Sequence, residues 1–303
     1  MKSIPKDWPN HSFSREIKTE GLSWHVQVGG NSPKHILMLH GTGSSAHTWG
    51  AIFTELSKNY TVIAPDLPGH GFTEFITKKS FSLDELATQL TKLKDALGIE
   101  YFDYVIGHSA GATLGLSYAL INKQPKKIIG LNPSLISLPS FYHYFIAPLL
   151  NPIVTSSFFI SILSDLLPHT KIIDGLLDST KTNLSGEKRA LYKTLFNSTD
   201  HLNGSMNFMA GTNIANLLEK CKTIESKLIF ILTEDDGWIP IINLRDVIRK
   251  YFDRAKVIEL KGGHLFHEGD EMTALKLIQS VLNNEGEDNV NPQQHLSVHL
   301  DYP

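Results

Sequence analysis

Residues 105–115, VIGHSAGATLG, set Ser109 between Gly107 and Gly111, each two positions away. The run before it, YFDYVIGH, is short, aromatic and β-branched, and the run after it, SAGATLGLSYALINK, carries apolar residues at helical spacing. A hydroxyl at such a strand-to-helix junction is placed as a nucleophile, because the strained turn lifts it above the sheet edge with helix amides behind it. Side chains two positions to either side would collide with the turn, and glycine removes them. Serine is weakly nucleophilic near neutral pH, so it needs a base and a group that orients the base. Of the 14 histidines, His264 in LKGGHLFHEG follows the last expected strand on a glycine-flanked loop and is the candidate base. Its neighbour His267 reads as a surface histidine. For the orienting acid, LTEDDGWIP offers Glu234, Asp235 and Asp236; Asp236, four places before Pro240, is the expected partner, and Asp235 reads as a solvated turn residue. The chain order Ser109, Asp236, His264, each at a strand end, fits acyl transfer. The oxyanion of that chemistry calls for two preset amides. Ala110 supplies one, and Thr42 in HGTGSSAHTW the other, with Gly43 as the alternate donor and a place where backbone approaches substrate. His40 and His108 read as packed, hydrogen-bonded side chains outside the triad.

Positioning these residues takes an alternation of strands and helices. Two short strands meet at Gly21, and buried strands are expected at HILMLH, YTVIAPD, YFDYVIGH, KKIIGLNP, KLIFIL and KVIEL. Between them lie helical runs, the clearest with Leu83, Leu86, Leu90, Leu93 and Leu97 on one stripe, opened by Ser82 and Glu85 in capping-box spacing. The pattern predicts an α/β fold, a mostly parallel central sheet flanked by helices. The rhythm breaks at 134–210, read as an inserted helical cap between a first core half at 1–133 and a second at 211–285. The polar, aperiodic segment 286–303 reads as a poorly ordered tail.

The chain has 303 residues, with 28 basic and 31 acidic side chains and a formal charge of −3, so it carries no electrostatic footprint for nucleic acid. One cysteine, Cys221, excludes an internal disulfide and a cysteine-based metal cluster, and the N-terminal residues lack the apolar run of a secretion signal, so a cytoplasmic location is expected. The scattered histidines lack zinc-site spacing, and the glycine-rich segments form no phosphate-binding pattern. The chemistry itself calls for no cofactor. Between Lys127 and Asp165 no charged residue occurs, yet Pro139, Pro148 and Pro152 argue against a membrane span. Phe141 opens the apolar part of that stretch and is a candidate for the roof over a small, hydrophobic substrate. A peripheral contact of this uncharged segment with lipid is a further reading, though it lacks a lysine-rich polar face. Oligomeric state is not legible.

The segments LHGTGSSAHTW, APDLPGHGFT, GHSAG, DDGWIP and GGH, in this order, resemble the α/β-hydrolase superfamily. DWPNHSFS, LSWHVQVGG, GHSAGATLGLSYAL and GLNPSL are similar to the magnesium-chelatase accessory hydrolases of bacteriochlorophyll synthesis. HLNGSMNFMAG, with Met206 and Met209, looks like the methionine-bearing segment of that family and marks both as substrate-pocket candidates. The resemblance implies an α/β-hydrolase fold with a serine nucleophile and a tetrapyrrole setting. Two functions follow: hydrolysis of an ester-like bond, or a non-catalytic accessory role in which the pocket binds a tetrapyrrole or a protein partner.

Overall fold

Strands of alternating or continuous β-branched residues build one sheet in the computed structural model, which describes residues 3–75, 82–136, 170–211, 213–284 and 296–297. They are β1 (Ser14–Thr19), β2 (Leu22–Gly29), β3 (His35–Leu39), β4 (Thr61–Pro65), β5 (Glu74–Phe75), β6 (Tyr104–His108), β7 (Lys127–Leu131), β8 (Lys227–Thr233), β9 (Lys256–Leu260) and β10 (Leu296–Ser297). Their order is β1-β2-β4-β3-β6-β7-β8-β9-β10, with β5 on β2. β2 runs antiparallel to β1, β4 and β5; every other pair is parallel. The chain therefore winds outward in both directions from the β3–β6 pair, and ligands of open parallel sheets sit at the carboxyl edge of such a switch point. The short β10 lies within the stretch read from sequence as an aperiodic tail; it pairs with β9 through backbone groups, which leave little side-chain pattern to read.

The central strands are buried on both faces, as parallel sheets covered by helices require. In β3, Leu37 and Leu39 face one core while Ile36 and Met38 face the other, the two-residue period of a strand. The first core receives α2 (Leu83–Ala96), α3 (Ala110–Ile121), α7 (Ile214–Cys221) and α8 (Ile241–Tyr251); the second receives α1 (Gly50–Leu56) and α10 (Glu271–Asn283). Helix α2 starts as its sequence demands, Ser82 Oγ accepting from the Glu85 amide at 3.3 Å.

Between β7 and α7 the alternation stops. Helices α4 (Ile172–Ser179), α5 (Gly186–Phe196) and α6 (Thr199–Gly211) carry an apolar cluster of their own, Ile173, Leu177, Tyr192, Phe196, Leu202 and Met206, joined by Leu265. Leu135 still packs in the first core. Residues 137–169, with Phe141, lie outside the described residues. Among the described residues no helix is long and apolar enough to cross a membrane.

The glycines around Ser109 make room on two sides of the elbow. A β-carbon on Gly107 would lie 2.4 Å from Ala112 Cα, and one on Gly111 2.3 Å from Leu39 O and 2.4 Å from His40 O. They let α3 seat directly on β6 and β3: Gly107 clears the first turn of the helix, as the spacing predicts, while Gly111 clears a neighbouring strand that the sequence does not reveal. The Gly111→Ala variant must push backbone carbonyls aside and is expected to lose about 3 kcal/mol or more of stability. Gly175→Ala, inside α4 with nothing within 4 Å of the new methyl, is expected to gain about 0.5–1 kcal/mol. Urea midpoints of the two variants check the pair.

Candidate active site

Three loops at the carboxyl edge converge. Ser109 follows β6 directly, with φ 51° and ψ −121°, a positive φ that a non-glycine residue rarely adopts. Asp236 follows β8. Its Oδ1 accepts the amides of Trp238 at 2.7 Å and Ile239 at 2.8 Å, closing a turn that aims Oδ2 at the loop after β9. There His264 Nδ1 donates to Oδ2 at 2.7 Å, and His264 Nε2 lies 3.1 Å from Ser109 Oγ. A carboxylate can only accept, so Nδ1 carries the proton and Nε2 is left to accept from the serine hydroxyl. His264 and Asp236 are buried, while Glu234 and Asp235 are exposed.

The His264 backbone is held from three sides. Its amide donates to Thr180 O at 2.8 Å, and its carbonyl accepts from His108 Nε2 at 2.9 Å and Asn132 Nδ2 at 3.2 Å. Asn132, itself at φ 42°, also exchanges two 2.9 Å bonds with Thr233 at the end of β8, tying the Asp236 loop to the His264 loop. Asn132, Thr180 and Trp238 escape a reading by motif, since each acts through partners far away in sequence.

Two amides flank the serine. Ala110 is the first residue of α3, where helix geometry leaves N–H groups without an intrahelical acceptor. The other flank is the loop after β3: a β-carbon on Gly41 would sit 3.1 Å from Ser109 Cβ. His40 Nδ1 at 2.8 Å and the Ser44 amide at 3.2 Å both donate to Gly41 O. Across a trans peptide this pins the direction of the Thr42 amide, which opposes that carbonyl. Among the described residues, neither the Thr42 nor the Ala110 amide donates a hydrogen bond within the protein. Gly43, at φ +76°, faces the Phe196 ring of α5, and its carbonyl accepts from His201 Nε2 of α6 at 3.2 Å. Met206 is buried in the α4–α6 cluster and Met209 is half-buried.

His267 is not the surface residue its sequence suggests. It is fully buried on the one-turn helix α9 (Phe266–Gly269), too short for a periodicity to reveal its inner face. Its Nε2 donates to Thr48 Oγ1 at 2.8 Å, and that hydroxyl donates to Glu268 Oε1, which also accepts from Tyr192 of α5 at 2.6 Å. Lys188 of α5 bonds the Glu268 carbonyl and Glu271. Burial pushes the Glu268 carboxyl up to about 7. Its folded pKa thus exceeds the unfolded value of 4.5, so its contribution to stability is full below 4.5 and declines as pH rises through about 7. Glu268→Gln keeps an oxygen for Tyr192 and Thr48 and removes the charge. We expect it to be more stable than wild type at pH 8 by on the order of 2–3 kcal/mol, with no such gain at pH 4.5, in denaturant titrations at the two pH values.

Buried imidazoles crowd the same edge. His40 accepts the Leu67 amide at 2.8 Å, and His201 accepts the Gly71 amide at 3.0 Å, so both are locked as neutral tautomers by backbone. Burial lowers His40 and holds His70, His108 and His267 well below the ordinary histidine value. Among the described residues no three His, Cys, Asp or Glu side chains form a group that could hold a metal ion.

The sequence model of the alpha/beta hydrolase fold matches residues 34–147, which carry Ser109 and both flanking amides. Solved structures match the whole architecture: an alpha/beta hydrolase fold protein from Burkholderia ambifaria superposes with a TM-score of 0.72 over 88% of this chain and 97% of its own, at 17% identity. The protein has the α/β-hydrolase fold. An enol-lactonase from Burkholderia xenovorans LB400 shares this α/β-hydrolase fold with a TM-score of 0.69, over 89% of this chain and 99% of its own, at 18% identity. In sequence the chain is similar to the magnesium-chelatase 30 kDa subunit of Rhodobacter capsulatus, 28% identical over 268 residues that cover 88% of this chain and 93% of that subunit.

Proposed function

We propose that this α/β-hydrolase-fold protein is a serine hydrolase that cleaves an ester-like bond of a small, largely hydrophobic substrate through an acyl-enzyme. The observation that carries the reading is His264 bridging Ser109 Oγ at 3.1 Å and Asp236 Oδ2 at 2.7 Å. Ser109 Oγ attacks the carbonyl carbon as its proton passes to His264 Nε2, and the resulting oxyanion is received by the amides of Thr42 and Ala110. Collapse expels the leaving group, which takes the proton from His264. Water then attacks the acyl-serine, giving its proton to the same nitrogen, and the acid leaves as Ser109 is restored. The Phe196 ring facing Gly43, the apolar cluster that holds Met206, and the charge-free sequence before Asp165 support an apolar substrate, with α4–α6 as part of its cap. The single cysteine, Cys221, fits a cytoplasmic location.

The similarity to the magnesium-chelatase 30 kDa subunit along most of the chain favours a second reading, an accessory role in which the pocket binds a tetrapyrrole. Treatment with an active-site fluorophosphonate and mass spectrometry separates the two. A phosphonyl adduct on Ser109, with turnover of aryl esters, is expected of the hydrolase. An unlabelled, ester-inert protein that quenches on porphyrin titration would establish the accessory role.

A further inference from the structure

The turn that aims Asp236 also presents the residue two places on. The Trp238 indole lies 5.1 Å from the His264 imidazole, centroid to centroid, with 29° between the ring planes. It is fixed from the cap side, its Nε1 donating to Ser179 Oγ at 2.8 Å at the end of α4, while that hydroxyl donates to Leu176 O at 2.6 Å. A β-carbon on Gly237 would meet Ser179 O at 2.0 Å, so the turn and α4 are in backbone contact. The His108 ring lies 4.8 Å from His264 at 56°, uncharged, its Nε2 spent on the His264 carbonyl.

A stacked indole does little for a neutral imidazole beyond excluding water. Once the imidazole has taken a proton, a full positive charge faces the electron-rich π surface of tryptophan, the best aromatic partner for a cation. The attraction therefore exists mainly in the charged state, and interactions stronger in the transition state than in the ground state are those that raise kcat. The neutral His108 adds no opposing charge. We infer that Trp238 is a positioning residue for the base: its face, anchored to the cap through Ser179, is the surface against which His264 becomes charged. The inference rests on the reading of His264 as general base and adds an electronic partner to it.

The test follows kcat for an aryl ester in the full-length protein. Trp238→Leu is expected to lower kcat about tenfold with KM within about twofold, and Trp238→Phe, which keeps a weaker π face, to recover part of the loss. Replacing tryptophan with mono-, di- and trifluorotryptophan, which drains the face without changing its shape much, is expected to lower kcat stepwise. The same labelling in the Trp238→Phe background, where Trp8, Trp24 and Trp49 carry the fluorine, is expected to leave kcat unchanged. Wild-type kcat across the fluorinated series, or a loss in Trp238→Leu confined to KM, would overturn the inference while the hydrolase reading stands. A wild type that neither labels nor turns over ester overturns both.

Discussion

Ser109→Gly is expected to be inactive and more stable than wild type. The backbone at Ser109 sits at φ 51°, a region that costs a non-glycine residue about 1–3 kcal/mol and that glycine enters freely. Its amide bond to Leu131 O, 2.9 Å, and the contacts of Gly107 and Gly111 remain as they are. Glycine gives back part of the gain through its freer unfolded chain, leaving about 1 kcal/mol, or a rise in Tm of about 2 °C. Ester turnover should fall by about 10⁴-fold to 10⁶-fold, since losing the nucleophile leaves the amides and the binding surface alone to act. Calorimetry and an ester assay on one preparation check both halves. Unchanged activity would remove Ser109 from the chemistry, and a lowered Tm would mean the turn stores no strain.

Asp236→Asn is expected to keep the architecture and lose about 10⁴-fold in kcat. Oδ1 accepts two amides, so in the variant that position favours the amide oxygen, and the NH₂ group is left facing His264 Nδ1. A donor there forces Nδ1 to accept, which moves the imidazole proton to Nε2 and aims it at Ser109 Oγ. The base then has no lone pair for the serine proton. Phosphonate labelling should slow in parallel with ester turnover. An Asp236→Asn protein that labels at the wild-type rate would show that the acid has no part in setting the tautomer.

Much of this was legible in the chain because the informative residues are local to strand ends. The run VIGH, the glycines around Ser109 and the capping pair Ser82 and Glu85 each state their structure within a few positions. Choosing Asp236 among three acids rested on its spacing to Pro240; the structure supplies the cause, a turn whose amides at Trp238 and Ile239 need that one carboxylate. What sequence could not show is carried by distant pairs. His267 and Thr48, or Glu268 and Tyr192, lie far apart in the chain, and neither member has a pattern that announces the other. The elbow glycines were legible as a spacing, while the strand atom that Gly111 makes room for, Leu39 O, became visible only in the packing.

The crowd of neutral imidazoles sets a limit on where this molecule can survive. His40, His47, His70, His108 and His267 are all depressed by burial, His47 to about 3, whereas the unfolded chain titrates them near 6.5. Below pH 6.5 the unfolded state takes up protons that the native state refuses, so acidification favours unfolding. Glu268 opposes this with a single proton. Acidification thus works against this fold at several buried imidazoles at once, and near-neutral surroundings are where it is best kept.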